Sequence, residues 1–161
     1  MKRLVYPVIA ALAMLVPTAA LAIAKAGQPA PVMALSTSTG KPFTLASLKG
    51  KAVYLNFFAS WCGPCNSEAP SIGKLSTKYK AKGLTVVGVN ELESGKQADE
   101  FLKKYHLPYG AVLDSDGKTG RDFGAIGLPM HVFIDRNGVV KTSRLGEMSP
   151  QEIETAIKEI L

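Results

Sequence analysis

Residues 52–65 read Ala52-Val53-Tyr54-Leu55-Asn56-Phe57-Phe58-Ala59-Ser60-Trp61-Cys62-Gly63-Pro64-Cys65, and this stretch decides the fold. From Ala52 to Ala59 the run is apolar or aromatic with one polar residue, Asn56. A central strand buried on both faces reads this way. A helix is expected to follow from about Gly63 to Lys82, with Ile72, Leu75 and Tyr79 on one face and Gly83 as its stop. Pro70 lies inside it and is expected to kink it. The two cysteines therefore fall where a core strand hands over to a helix.

Outward from that junction, Leu84–Val89 is a second apolar strand. Ser94 and Gln97 form a capping box that opens a helix with Ala98, Phe101, Leu102 and Tyr105 on its inner face. Residues 114–127 are rich in Gly and Asp and read as a loop. Met130–Ile134 and Val139–Leu145 read as a hairpin across Asp135-Arg136-Asn137-Gly138. Ser149 to Glu152, with Pro150 at the first helical position, opens a last helix that carries Ile153, Ala156, Ile157, Ile160 and Leu161 on one face. The order β-α-β-α-β-β-α implies an α/β fold, a mixed central sheet with helices on both faces. Residues 25–42 hold Gly27, Pro29, Pro31, Gly40 and Pro42, a linker composition. The domain is placed at 25–161, with a flexible start to about residue 30.

The chain has 161 residues, enough for one domain with a core, and 47% hydrophobic against 20% charged residues is a globular profile. Disordered, collagenous and disulfide-dense classes are excluded. The formal charge of +6 is mild and scattered, without a run of four basic residues, so nucleic acid is not an expected partner. Met1-Lys2-Arg3 precedes an uncharged stretch from Leu4 to Ala24 that ends in the small-x-small sites Ala20-Leu21-Ala22 and Ala22-Ile23-Ala24. Residues 1–24 therefore read as a signal peptide or an N-terminal anchor, and either places the domain in the periplasm or another extracytoplasmic space. Dithiols there tend to be oxidised.

Two cysteines three positions apart cannot staple a fold, so the pair is read as chemistry. A helix start offers free N–H groups and a positive dipole end, both of which stabilise a thiolate. A thiol of ordinary pKa ~8.5 drops to about 3.5–7.5 in such places. Cys62, at the tip, is expected to be the exposed nucleophile, and Cys65 the shielded resolving thiol. A structural zinc site needs four ligands, and beyond the cysteines only His106 and His131 remain. Covalent haem attachment needs His after the second Cys, where Asn66 stands. Met130 and His131 keep a Cu(I)-binding metallochaperone open as an alternative, and a peroxidase is another; otherwise both histidines read as structural and no metal site is expected.

Residues 30–161 resemble the exported TlpA/ResA-like thiol-disulfide oxidoreductases of the thioredoxin superfamily. The resemblance rests on Leu55–Cys65, on Glu68-Ala69-Pro70, on Val86–Asn90 leading to Glu93, and on Gly127-Leu128-Pro129. It implies a thioredoxin fold and a cis peptide bond before Pro129, with Leu128 and Pro129 forming a shelf for substrate backbone. Trp61, Gly63 and Pro64 belong to the motif around the nucleophile. Cytosolic thioredoxins carry a buried Asp where this chain has Asn56, so the proton relay falls to Glu93, ahead of Glu91, through a buried carboxyl with raised pKa. The resemblance further implies a monomeric reductant of envelope protein disulfides, as in cytochrome c or copper-site maturation. Its electrons would come from a membrane thiol-disulfide donor, and no cofactor is needed beyond the Cys62–Cys65 disulfide. A protein-disulfide oxidase or isomerase of the same fold is the chief alternative.

Overall fold

A computed structural model describes residues 24–161; the signal or anchor reading of 1–24 therefore lies almost wholly outside the described residues. The elements in chain order are β1 (Ala34–Thr37), β2 (Pro42–Thr44), a 3-10 turn (Leu45–Leu48), β3 (Ala52–Phe58) and α1 (Gly63–Lys80). There follow β4 (Leu84–Glu91), α2 (Gly95–Lys104), β5 (Ala111–Asp114), α3 (Lys118–Phe123), β6 (Met130–Ile134), β7 (Val140–Leu145) and α4 (Pro150–Ile160). Seven strands make one sheet in the order β2-β1-β5-β4-β3-β6-β7. Every residue of β3 is buried. That strand runs parallel to β4 and antiparallel to β6.

The absence of alternation in β3 follows from a core on each side of the sheet. Val53, Leu55 and Phe57 face one cluster with Val89, Phe123 and Val132. Ala52 and Tyr54 face the other, where Ile72, Leu75 and Tyr79 of α1 meet Ile153, Ile157 and Ile160 of α4. Phe58 continues that side against Ala98 and Phe101 of α2. Helices therefore cover both faces, as the sequence implies, with α1, α2 and α4 on one and the short α3 on the other.

Three stretches differ from their sequence reading. Residues 25–42 are not a linker: β1 lies within them and β2 begins at Pro42, and β1 pairs antiparallel with both β2 and β5. Residues 25–30 are not a loose start either. Gly27 N–H donates to Val140 O (2.8 Å), Val140 N–H to Gln28 O (2.9 Å) and Ala30 N–H to Gly138 O (2.9 Å), while Ala24 N–H reaches Asp122 O (3.1 Å). Backbone pairing, which composition does not report, holds this strap. Finally, the 114–127 loop contains α3, framed by Gly117 (φ 64°) and Gly124 (φ 83°). It forms because Phe123 is buried against Phe57, 5.6 Å between ring centroids, and because the Asp114 carboxylate accepts from Thr119 and Gly120 N–H.

A chain beginning at Pro31 loses the four hydrogen bonds of the strap. At about 0.5–1.5 kcal/mol net each, it should be less stable than one beginning at Ala24 by about 2–6 kcal/mol. Urea denaturation of the two chains measures this, and equal midpoints would show that the strap contributes nothing.

Candidate active site

Cys62 is the N-cap of α1, with φ −75° and ψ 108°, and its Sγ accepts from Cys65 N–H at 3.2 Å. The two sulfurs are bonded, with Cα atoms 5.3 Å apart. Pro64 occupies the first turn, and no acidic residue does, so the positive end of the helix faces the sulfur unopposed. Among the described residues the Cys65 amide is the sole hydrogen-bond donor to either sulfur. The expected contrast in exposure is absent: Cys62 is 4% and Cys65 3% exposed. In the disulfide, Cys62 is folded in among Ala59, Ala69 and Leu128, so what sets it apart is its place at the cap. Trp61, 67% exposed, stands at the rim.

The strand-to-helix turn is fastened by side chains. Glu93, two residues past the end of β4, accepts from Ser60 N–H (2.8 Å), Ser60 Oγ–H (2.5 Å), Asn90 Nδ2 (2.8 Å) and Gln97 Nε2 (3.3 Å). Asn66 donates through Nδ2 to the carbonyls of Ser60 (2.9 Å) and Cys62 (2.7 Å) and accepts from Tyr105 Oη–H (2.7 Å). Glu93 is thus brought to the turn before Cys62, as its position in the resemblance implies. Ser60, Asn66 and Tyr105 were not singled out from sequence. The spacing of Asn66, four residues after Cys62 on a helix, was the available signal.

Glu91, the last residue of β4, has a raised proton affinity. Burial, and after it the charge of Asp114 opposite, push its pKa to about 7, while Arg121 opposes the shift. Asp114 faces it from the paired position on β5. Gly120 leaves the room that the Glu91 carboxyl occupies, since a Cβ there would collide with it.

The Leu128–Pro129 bond is cis. Leu128 packs on the cluster that contains both cysteines and, with Trp61, Leu92 and Ile126, lines a cavity of about 260 Å³ beside them. A wider apolar cavity of about 390 Å³ lies at the opposite end of the sheet, along Val53 and Ile134. Asn56 is buried on β3 between Gly88 and His131. His131 contacts Tyr54 Oη (2.8 Å), Gly146 O (3.1 Å) and Glu68 Oε1 (3.4 Å). Burial pushes the Tyr54 hydroxyl well above its usual range. Glu68 was read only for its place in the motif. Its spacing of four from Ile72 already puts it on the buried face of α1. Among the described residues no group of three His, Cys, Asp or Glu is gathered for a metal, and no helix is long and apolar enough to cross a membrane.

A pair of cysteines at a buried strand's exit, on a helix cap and under a cis-proline loop, is a dithiol-disulfide exchange site. The Redoxin family model matches residues 25–160. The chain belongs to the Redoxin family. This redoxin is 34% identical over 134 residues to thiol-disulfide oxidoreductase ResA of Bacillus thuringiensis subsp. konkukian, covering 83% of this chain and 78% of that one. Among solved structures it is similar to a thiol:disulfide interchange protein of the thioredoxin family from Chlorobium tepidum, with TM-score 0.74, 32% identity, 86% of this chain and 99% of that one. It is also similar to a secreted disulfide oxidoreductase of Mycobacterium tuberculosis, with TM-score 0.71, 28% identity, 79% of this chain and 95% of that one. The fold is thioredoxin-like, and this redoxin is a thiol-disulfide oxidoreductase.

Because the folded state raises the Glu91 pKa from 4.5 to about 7, it binds this proton more tightly than the unfolded chain. The resulting stability is complete below pH 4.5 and lost as pH rises through 7, amounting to about 3 kcal/mol at most. Glu91→Gln keeps a donor for Asp114 and should remove that dependence. Urea denaturation of both proteins from pH 5 to pH 8 measures it. The variant should match wild type at the acid end and exceed it at pH 8, and a constant difference would show that Glu91 does not titrate there.

Proposed function

We propose that the chain works outside the cytoplasm as a reductant of disulfides in client proteins. The Cys62 thiolate attacks one sulfur of a client disulfide and expels the other as a thiolate. Cys65, losing its proton, then attacks Cys62 in the mixed disulfide. The client leaves with two thiols, and the Cys62–Cys65 disulfide remains. A membrane thiol-disulfide donor returns the electron pair, and the disulfide itself is the only redox group required. Apocytochrome c, a copper-site assembly protein or an oxidised envelope enzyme are the client classes that fit.

One observation carries the direction. The sulfurs receive a single backbone amide and no side-chain cation among the described residues. Strong oxidants of this fold owe their potential to a heavily stabilised reduced form, and a thiolate held by one amide and a helix start lacks that support. The basic N-terminal start with its uncharged stretch, and the secreted relative, support the location. Glu93 acts as a positioning residue: through Ser60 it sets the turn that presents Cys62 and places a carboxylate behind it.

The Cys62–Cys65 potential should lie below the glutathione couple, on the order of −270 mV. Trp61 fluorescence in glutathione and dithiothreitol buffers reads it, and a value above about −180 mV would make the chain a disulfide donor. Glu93→Gln should shift the Cys62 and Cys65 titrations while the fold is kept; unchanged thiol pKa values would remove the role given to Glu93.

A further inference from the structure

Leu92 sits in the left-handed region, at φ 58°, between Glu91 and Glu93. Residues with a Cβ adopt that conformation at a cost that glycine avoids. The side chain recovers nothing by burial, because it is 62% exposed. A strained, exposed leucine at the exit of a core strand points to a contact that the free protein does not make.

Its surroundings name the contact. Five large apolar side chains stand well exposed among the described residues, and four of them, Trp61, Leu92, Ile126 and Leu145, lie along the loop that leads to the cis-proline or the cavity beside it. Trp61, Leu92, Ile126 and Leu128 line one cavity, to which Glu91 and Arg121 also contribute. Leu145 pairs with Met130 and lies 3.8 Å from where a Cβ on Gly127 would sit. Such clustering on a soluble protein marks an interaction surface. At about 260 Å³ the cavity falls below the roughly 300–1,000 Å³ of small-molecule sites and suits one bulky side chain of a chain passing over it.

The geometry points to Leu92 as a specificity-determining residue, whose side chain forms one wall of a pocket for an apolar residue adjoining the client's reactive cysteine. The occupant is an extended polypeptide, because the pocket is open and shares Leu128, which precedes the cis-proline bond and packs on the cluster that holds Cys62. The inference rests on the reductant reading above. Binding buries Leu92 and Ile126, so the stability forgone at φ 58° is recovered only in the complex.

The test mixes reduced protein with one of two short peptides, each closed by an internal disulfide, with leucine or glycine beside the first cysteine. Trp61 fluorescence follows formation of the Cys62–Cys65 disulfide. Wild type should react with the leucine peptide about tenfold faster, near the lower limit of what apolar pockets discriminate. Leu92→Gly and Leu92→Asn both suit a left-handed backbone. Each should bring the two peptides within about twofold of one another, leave reaction with oxidised glutathione unchanged, and keep or raise the thermal midpoint. Leu92→Met should retain the preference. Variants that keep the full preference, that slow glutathione and peptides alike, or that unfold at lower temperature would overturn the inference while leaving the reductant reading standing. A wild-type dithiol that stays reduced with all three disulfides would overturn that reading, and the inference with it.

Discussion

The structure depends on one placement: the sulfur of Cys62 at the opening of α1, where the Cys65 amide points at it. That placement has requirements further in. The sulfur is fixed only if the end of β3 is fixed, and β3 is fixed because it lies inside the sheet with both faces covered. Two residues, Ser60 and Trp61, then separate Ala59 from the cap. The turn is too short to relocate the helix, whose buried face docks through Ile72, Leu75 and Tyr79 on the same sheet. Non-directional burial thus delivers a directional contact, one N–H aimed at one sulfur.

Packing alone would leave the short turn free to rock, and polar contacts remove that freedom. The Ser60 amide and hydroxyl end on Glu93, and the Ser60 and Cys62 carbonyls end on Asn66. Both anchors reach α2, Glu93 through Gln97 in its first turn and Asn66 through Tyr105 at its C-cap. One helix therefore holds the turn from its two ends. Buried networks of this kind are worth their desolvation when their members find partners, and here the Ser60 amide and hydroxyl and the Cys62 amide do, while Asn90 Oδ1 is left without one.

What the sequence disclosed divides along the same line. The fully apolar β3, the periodic faces of α1, α2 and α4, and the hairpin at Asp135–Gly138 each depend on a local pattern with a fixed period, and each was legible. The strap at 25–30, β1 and β2, and α3 are held by partners far along the chain. Val140 and Gly138 pair with the strap, and Phe57 covers Phe123. No window containing α3 reports the ring of Phe57 beneath it. The cysteines were legible because their chemistry needs a junction that sequence shows. The raised proton affinity of Glu91 was not, because its environment is made by Asp114 on another strand and by the missing Cβ of Gly120.

The two sides of the disulfide differ in kind. On the α2 side the contacts are hydrogen bonds with defined angles, which tolerate little displacement. On the side of α3 and residues 125–129 the exposed surface is apolar, and its attraction is proportional to area and indifferent to direction. An exchange enzyme needs both properties at once. In-line attack at sulfur demands a fixed nucleophile, while clients of different sequence must be accepted beside it. Polar fastening behind Cys62 and an apolar wall in front of it meet those demands without compromise between them. The wall is itself steadied from within, since Glu91 faces Asp114 across the strand pair and Asp114 accepts from the Thr119 and Gly120 amides of α3.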